Sequence, residues 1–180
     1  MRRAAKISVE AHKRAMKLCR PGMMEYELEA ELVHGFRKYG CYPAYNSIVG
    51  GGANGCILHY VENNEELNNK ELVLIDAGAE FDCYASDITR TFPVNGLFTP
   101  AQKALYELVL AAQNAAIAKV APGNHWKDPH IAAIRVLTRG LVKLGLLKGQ
   151  PAKLIKEEAY RRFYMHRTGH WLGMDVHDVG

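Results

Sequence analysis

Pro21-Gly22 and Pro122-Gly123 interrupt the chain 101 residues apart, and each sits between two stretches of helical periodicity. Before the first, apolar residues recur from Ala4 to Leu18 (Ala4, Ile7, Val9, Ala11, Ala15, Met16); after it they recur from about Tyr26 to Tyr39 (Leu28, Leu32, Val33, Phe36) and stop at Gly40. Around the second, Ala101 to Val120 and Ile131 to Leu147 read the same way. Each helical pair is followed by a strand-like stretch holding a histidine, Cys56 to Tyr60 with His59 and Met174 to His177. A helix pair and a strand, written twice, predict an internal duplication: one α+β domain over 1–180, with a first half of about 1–97 and the start of a second from about 98. Leu72 to Asp76 and Tyr84 to Val94 are two further predicted strands.

Composition excludes several classes of function. With 48% hydrophobic and 23% charged residues over 180 positions, the chain can build a sizeable core. Its net charge of +4 is dispersed, with no basic block beyond Arg161-Arg162, so neither nucleic acid nor a membrane surface is an expected partner. Cys19, Cys41, Cys56 and Cys83 lie at irregular spacings without a C-x-x-C, which argues against a zinc ribbon or a disulfide framework and for reduced thiols. There is no signal-peptide core and no apolar run of membrane-spanning length, and the expected location is cytoplasmic.

The chemistry is carried by acids and imidazoles. LVLIDAG is a short apolar strand ending in Asp76; if it pairs with YASDITRTF through a turn centred between Phe81 and Asp82, Asp76 faces Asp87 across the hairpin. Opposed residues there have Cβ atoms roughly 4.5–5.5 Å apart, and two carboxylates so placed on an apolar hairpin require a proton or a cation between them. A plainer reading has Asp76 ending its strand and Asp87 accepting a hydrogen bond from Thr89 or Arg90. The closing residues weigh against it: His166, His170 and His177 lie among Asp175 and Asp178, in a segment whose Gly169 and Gly173 favour a loop over a helix. Carboxylates with one imidazole suit Mn²⁺, with Co²⁺, Fe²⁺ or Zn²⁺ as alternatives, and a pair of such ions performs metal-assisted hydrolysis.

HRTGHWLGMDVHDVG, from His166 to Gly180, resembles the proline-peptidase signature. LVLIDAG and SDITRTFPVNG resemble the aspartate strands of the Xaa-Pro aminopeptidase (aminopeptidase P) family, and GCILHYVENN around His59 and the opening MRRAAKISVEAH match that family too. The resemblance implies a pita-bread metallopeptidase that removes the N-terminal residue from peptides with proline in second position, by way of a hydroxide bridging two metal ions. By that pattern Asp76 and Asp87 are metal ligands, Asp87 bridging both ions, and His170 is the imidazole ligand. His59, His166 and His177 match histidines that line the substrate site, position the peptide and stabilise the tetrahedral intermediate. Oligomeric relatives make a homo-oligomer an expectation.

In the family two more glutamates complete five ligands, one of them also the general base, and both fall after Gly180; bacterial members also carry a domain before the first helix. The chain is therefore expected to be an internal piece of such an enzyme, with three of five ligands, weak metal binding and little or no turnover.

Other features attract simpler readings. VGGGANG (Val49 to Gly55) lacks the Lys-Ser/Thr of a phosphate loop and reads as a turn allowing close backbone approach. His12, His34, His125 and His130 have no acidic partners at ligand spacing and read as surface or packing residues. Two other functions remain open: a neighbouring pita-bread peptidase, either prolidase or methionine aminopeptidase, and a non-catalytic remnant that binds peptides without cleaving them.

Overall fold

The structure is a computed structural model that describes residues 1–179; Gly180, the last residue of the closing motif, lies outside the described residues. Helix α1 (Arg2–Leu18) buries Ala4, Ile7, Ala11 and Ala15 along one face, and α2 (Glu25–Arg37) buries Leu28, Leu32 and Phe36. The two approach closely because Gly35 has no side chain: a Cβ there would lie 2.8 Å from that of Ala11. Strands β1 (Tyr42–Pro43), β2 (Ile48–Gly51), β3 (Leu72–Ala77), β4 (Ala79–Glu80) and β5 (Ile88–Pro93) follow. β3 is the centre of an antiparallel sheet ordered β2-β3-β5, and β1 pairs with β4.

The period-two alternation of β3 decides where the chemistry sits. Val73, Ile75 and Ala77 are buried and join the core built by α1 and α2. Leu72, Leu74 and Asp76 are half-buried on the other face. Asp76 is thus carried by the central strand of the sheet yet pointed away from the helices.

The register differs from the sequence expectation: Asp76 pairs with Thr89, not with Asp87. The hairpin tip supplies the reason. Phe81 and Tyr84 bridge around Asp82 and Cys83, whose φ values of 49° and 65° make a two-residue turn of the kind that matches strand twist. The turn is centred one residue later than predicted, which slips the pairing by two. A slip of two keeps every side chain on its face, so Asp87, one residue before β5, stays on the side of Asp76 as its diagonal neighbour. Ser8 of α1 secures this tip: Ala79 N–H donates to its Oγ at 2.8 Å, and the Ser8 and Ser86 hydroxyls are 2.8 Å apart.

Two predicted strands are not strands. Gly52–Cys56 is a 3-10 turn, and His59 has φ 55°, a left-handed value that breaks any extended run through Cys56 to Tyr60. Met174 to His177 forms bends, because its surroundings close on themselves: Gly173 N–H donates to the Asp175 carbonyl at 3.1 Å and Asp178 N–H to that of Trp171 at 3.2 Å.

The described chain forms two compact units, 1–98 with the residues from His170 onward, and 99–169. In the second, α3 (Pro100–Ile117) opens with a capping box in which Gln102 N–H donates to Thr99 Oγ1 at 3.3 Å and Thr99 N–H to Gln102 Oε1 at 2.9 Å. It packs through Ala112 and Ala116 on Ala133 and Leu137 of α4 (Asp128–Lys143), and α5 (Pro151–Lys156) follows. α4 starts earlier than the predicted Ile131 because Asp128 Oδ2 accepts from His125 N–H at 2.9 Å and Pro129 suits a first turn.

A Cβ on Gly78 would overlap the Ser86 carbonyl. Gly78→Ala is therefore expected to destabilise the chain by about 1–3 kcal/mol, seen as a lower urea midpoint at unchanged slope.

Candidate metal centre

Tyr45, between β1 and β2, was not singled out by the sequence, yet it joins the two aspartates. Its hydroxyl lies 2.6 Å from Asp76 Oδ1 and 2.9 Å from Asp87 Oδ1, so one phenolic proton serves two carboxylates. Thr89 adds a hydrogen bond to Asp76. The one available signal was position: a tyrosine just ahead of the strand that pairs with the Asp76 strand.

His170 comes to this pair from the closing segment, which is tied to the hairpin by Ala85 N–H donating to the Gly173 carbonyl at 2.8 Å. Its Nδ1 lies 2.7 Å from the Trp171 carbonyl and its Nε2 3.0 Å from Asp87 Oδ2. A carbonyl can only accept, so Nδ1 carries a proton; in the neutral ring Nε2 then presents a lone pair. A lone pair against a carboxylate oxygen at that distance is stable only when the ring takes a second proton or a cation enters. Carbonyl-anchored imidazole is also how protein ligands present Nε2 to metals. His177 stacks on His170, with ring centroids 4.1 Å apart.

The donors therefore fit a divalent cation chemically: two carboxylates, and an imidazole turned toward one of them. Among the described residues, no three His, Cys, Asp or Glu side chains surround a common point as a finished cage. His170 is linked to Asp87 directly, and Asp87 to Asp76 through Tyr45.

His59 lines the same cleft of about 360 Å³, with Tyr45, Asn46, Ile48, Val61, Asp76, Asp87, Val176 and His177. Its left-handed backbone costs on the order of 1–3 kcal/mol and persists only where neighbours enforce it. His166 belongs to the second unit, where its ring packs edge-on against Tyr164, centroids 5.2 Å apart, and its Nδ1 lies 2.9 Å from the Arg167 carbonyl. Nearby, His130 does more than fill surface: its Nδ1 is 2.8 Å from Thr168 Oγ1, which Tyr164 also reaches at 2.7 Å.

An α+β chain with this donor set on a helix-backed hairpin has the build of a metallopeptidase. The chain belongs to metallopeptidase family M24, whose sequence profile matches residues 1–180. It is 55% identical to the Xaa-Pro aminopeptidase of Haemophilus influenzae and 53% identical to that of Escherichia coli, in each case over 100% of this chain and only 42% and 41% of the relative. Among solved structures, it superposes on Pseudomonas aeruginosa aminopeptidase PepP with a TM-score of 0.99 at 63% identity, covering 100% of this chain and 41% of that one. A variant of Escherichia coli aminopeptidase P in complex with substrate gives a TM-score of 0.98 at 53% identity, covering 99% and 41%. The fold is thus the α+β pita-bread fold of aminopeptidase P, and the chain spans about two fifths of the relatives it matches.

Burial holds the Asp76 carboxyl above the usual carboxylate range, and the charge of Asp87 adds to this, while hydrogen bonds from Tyr45 and Thr89 work the other way. The folded state therefore grips this proton more tightly than the unfolded chain. Its stabilising contribution is complete below the ordinary value of 3.8 and is lost as pH rises through the elevated folded value. Without metal, urea midpoints are expected to carry a downward contribution as pH climbs out of the acid range, and Asp76→Asn to remove it. Tyr45→Phe, which takes away the shared proton, should cost about 1–3 kcal/mol at neutral pH in the same measurement.

Proposed function

We propose that this chain contributes the core of the active site of a metal-dependent Xaa-Pro aminopeptidase, which hydrolyses the N-terminal residue from peptides whose second residue is proline. The observation that carries the reading is the Asp87–His170 contact, with Nδ1 committed to a carbonyl and Nε2 turned to a carboxylate. The relatives named Xaa-Pro aminopeptidase supply the substrate class.

Asp76, Asp87 and His170 would hold the metal, with Asp87 placed to serve two ions because one of its oxygens faces His170 and the other faces Tyr45. Divalent ions held by these residues would supply Lewis-acid polarisation of the scissile carbonyl and an activated water. Mn²⁺ is the favoured ion on donor hardness, and Co²⁺, Fe²⁺ and Zn²⁺ suit the same donors; an Escherichia coli relative has been solved in zinc-substituted form. His59 and His177, on the cleft wall, orient the peptide and donate to the oxygen that gains charge in the tetrahedral intermediate. His166 has the same role by family pattern. Ile48, Val61 and Val176 give the cleft an apolar wall against which a peptide side chain excludes water. A cytoplasmic location agrees with the four free cysteines, two of them exposed. Self-association of the chain belongs to the same proposal.

Equilibrated with Mn²⁺ and desalted, the chain is expected to retain metal by mass spectrometry, and Asp87→Asn to lose it. Turnover by the metal-loaded chain is expected to be weak or absent; any cleavage should favour Xaa-Pro-Xaa over Xaa-Ala-Xaa peptides, and chelator should stop it. Cleavage confined to Xaa-Pro dipeptides would mark a prolidase, and cleavage of Met-initiated peptides without proline a methionine aminopeptidase. Peptide binding without hydrolysis, indifferent to chelator, would mark a non-catalytic binder.

A further inference from the structure

Glu25 is a fully buried acid that the chemistry above does not use. It opens α2, yet both its oxygens are occupied by the end of β2 and the loop that follows it. Oε1 accepts from Gly51 N–H at 2.7 Å and Asn54 Nδ2 at 3.1 Å; Oε2 accepts from the Tyr60 hydroxyl at 2.7 Å and Glu65 N–H at 3.1 Å. Four donors, one from the last residue of β2 and three from the loop after it, converge on a single carboxylate. The Glu25 backbone N–H also donates to the Glu65 carbonyl at 2.9 Å. Asn63, buried and itself left-handed at φ 46°, completes the clamp by accepting from Val49 N–H at 2.8 Å and donating to the Ser47 carbonyl at 2.8 Å.

His59 sits inside this clamped loop, directly before Tyr60. Its left-handed backbone and its place on the cleft wall both need the loop held open-side-in, and Tyr60 is drawn to the core by Glu25. Neither His59 nor its neighbours Leu58 and Val61 is buried, so packing at the position itself does not hold it. We propose that Glu25, acting through Tyr60, is the positioning residue that aims His59 into the cleft. It touches no substrate; its work is to fix one rotatable loop before peptide arrives. The burial that holds the Tyr60 phenol up at about 12, with the Glu25 hydrogen bond adding, keeps that phenol a donor throughout the working range.

The proposal rests on His59 serving the peptidase reaction, and its test separates the two ideas. In the full chain without metal, Glu25→Gln presents amide protons to groups that are themselves donors, while Tyr60→Phe removes a single hydroxyl and keeps the fold. Both are expected to shift the His59 ring resonances in NMR spectra. Both should also speed amide exchange across 52–65 by roughly tenfold or more, with β3 and β5 amides unchanged. In peptide hydrolysis, Tyr60→Phe should lower kcat more than it changes KM, and combining it with His59→Ala should add nothing to His59→Ala alone. Unchanged His59 resonances and loop exchange in Tyr60→Phe, or additive losses in the double variant, would overturn it. Where turnover of the parent chain is too low to read, the NMR comparison alone decides the positioning role.

Discussion

A single phenolic proton, that of Tyr45, lies between Asp76 at 2.6 Å and Asp87 at 2.9 Å, on a sheet face half withdrawn from water. Two carboxylates at such separation repel, and desolvation makes the repulsion stronger, so one shared donor does not relieve it. The rest of the first unit is arranged so that the pair cannot move apart. β3 is anchored behind Asp76 by Val73 and Ile75 against the helices, and Ser8 holds the hairpin tip next to Asp87. The strain is local and electrostatic, and it is the kind that a divalent cation removes.

His170 extends the same logic. With Nδ1 committed to a backbone carbonyl, Nε2 meets the acid as a lone pair in the neutral ring and as a donor in the protonated one. Membership in metallopeptidase family M24 gives this arrangement its chemical context. The solution for His59 uses a fully buried acid: Glu25 is satisfied by four donors and therefore needs no cation. Glu25 is fully buried and Asp87 only partly, but it is the partners that separate a structural acid from one open to a cation.

Much of this was readable along the chain. Apolar periodicity located α1 to α4, because a helix face buried against a core must repeat every three to four residues. The run LVLIDAG located β3, and the Pro-Gly pairs located the breaks. The motif resemblance identified the family before any coordinate was needed. Less legible were the strand ends. His59 and Met174 to His177 look extended in sequence because β-branched and aromatic residues surround them, but they form turns whose contacts are short-range or made to distant residues.

What sequence determined by itself, then, was composition-driven and periodic: two helix pairs, an acid-ending central strand, and the acids and imidazole that the fold brings together. Tertiary structure decided three things that no local pattern encodes. The hairpin turn fell at Asp82-Cys83, so Asp76 and Asp87 became diagonal neighbours; they stayed on one face only because side-chain direction has period two. Tyr45 entered the site from a segment with no periodic signal, since a hydrogen bond across 31 and 42 residues depends on where two strands happen to dock. And Glu25, to all appearance a first-turn acid stabilising a helix, became the hub of the His59 loop, because burial sends a carboxylate to whichever donors surround it.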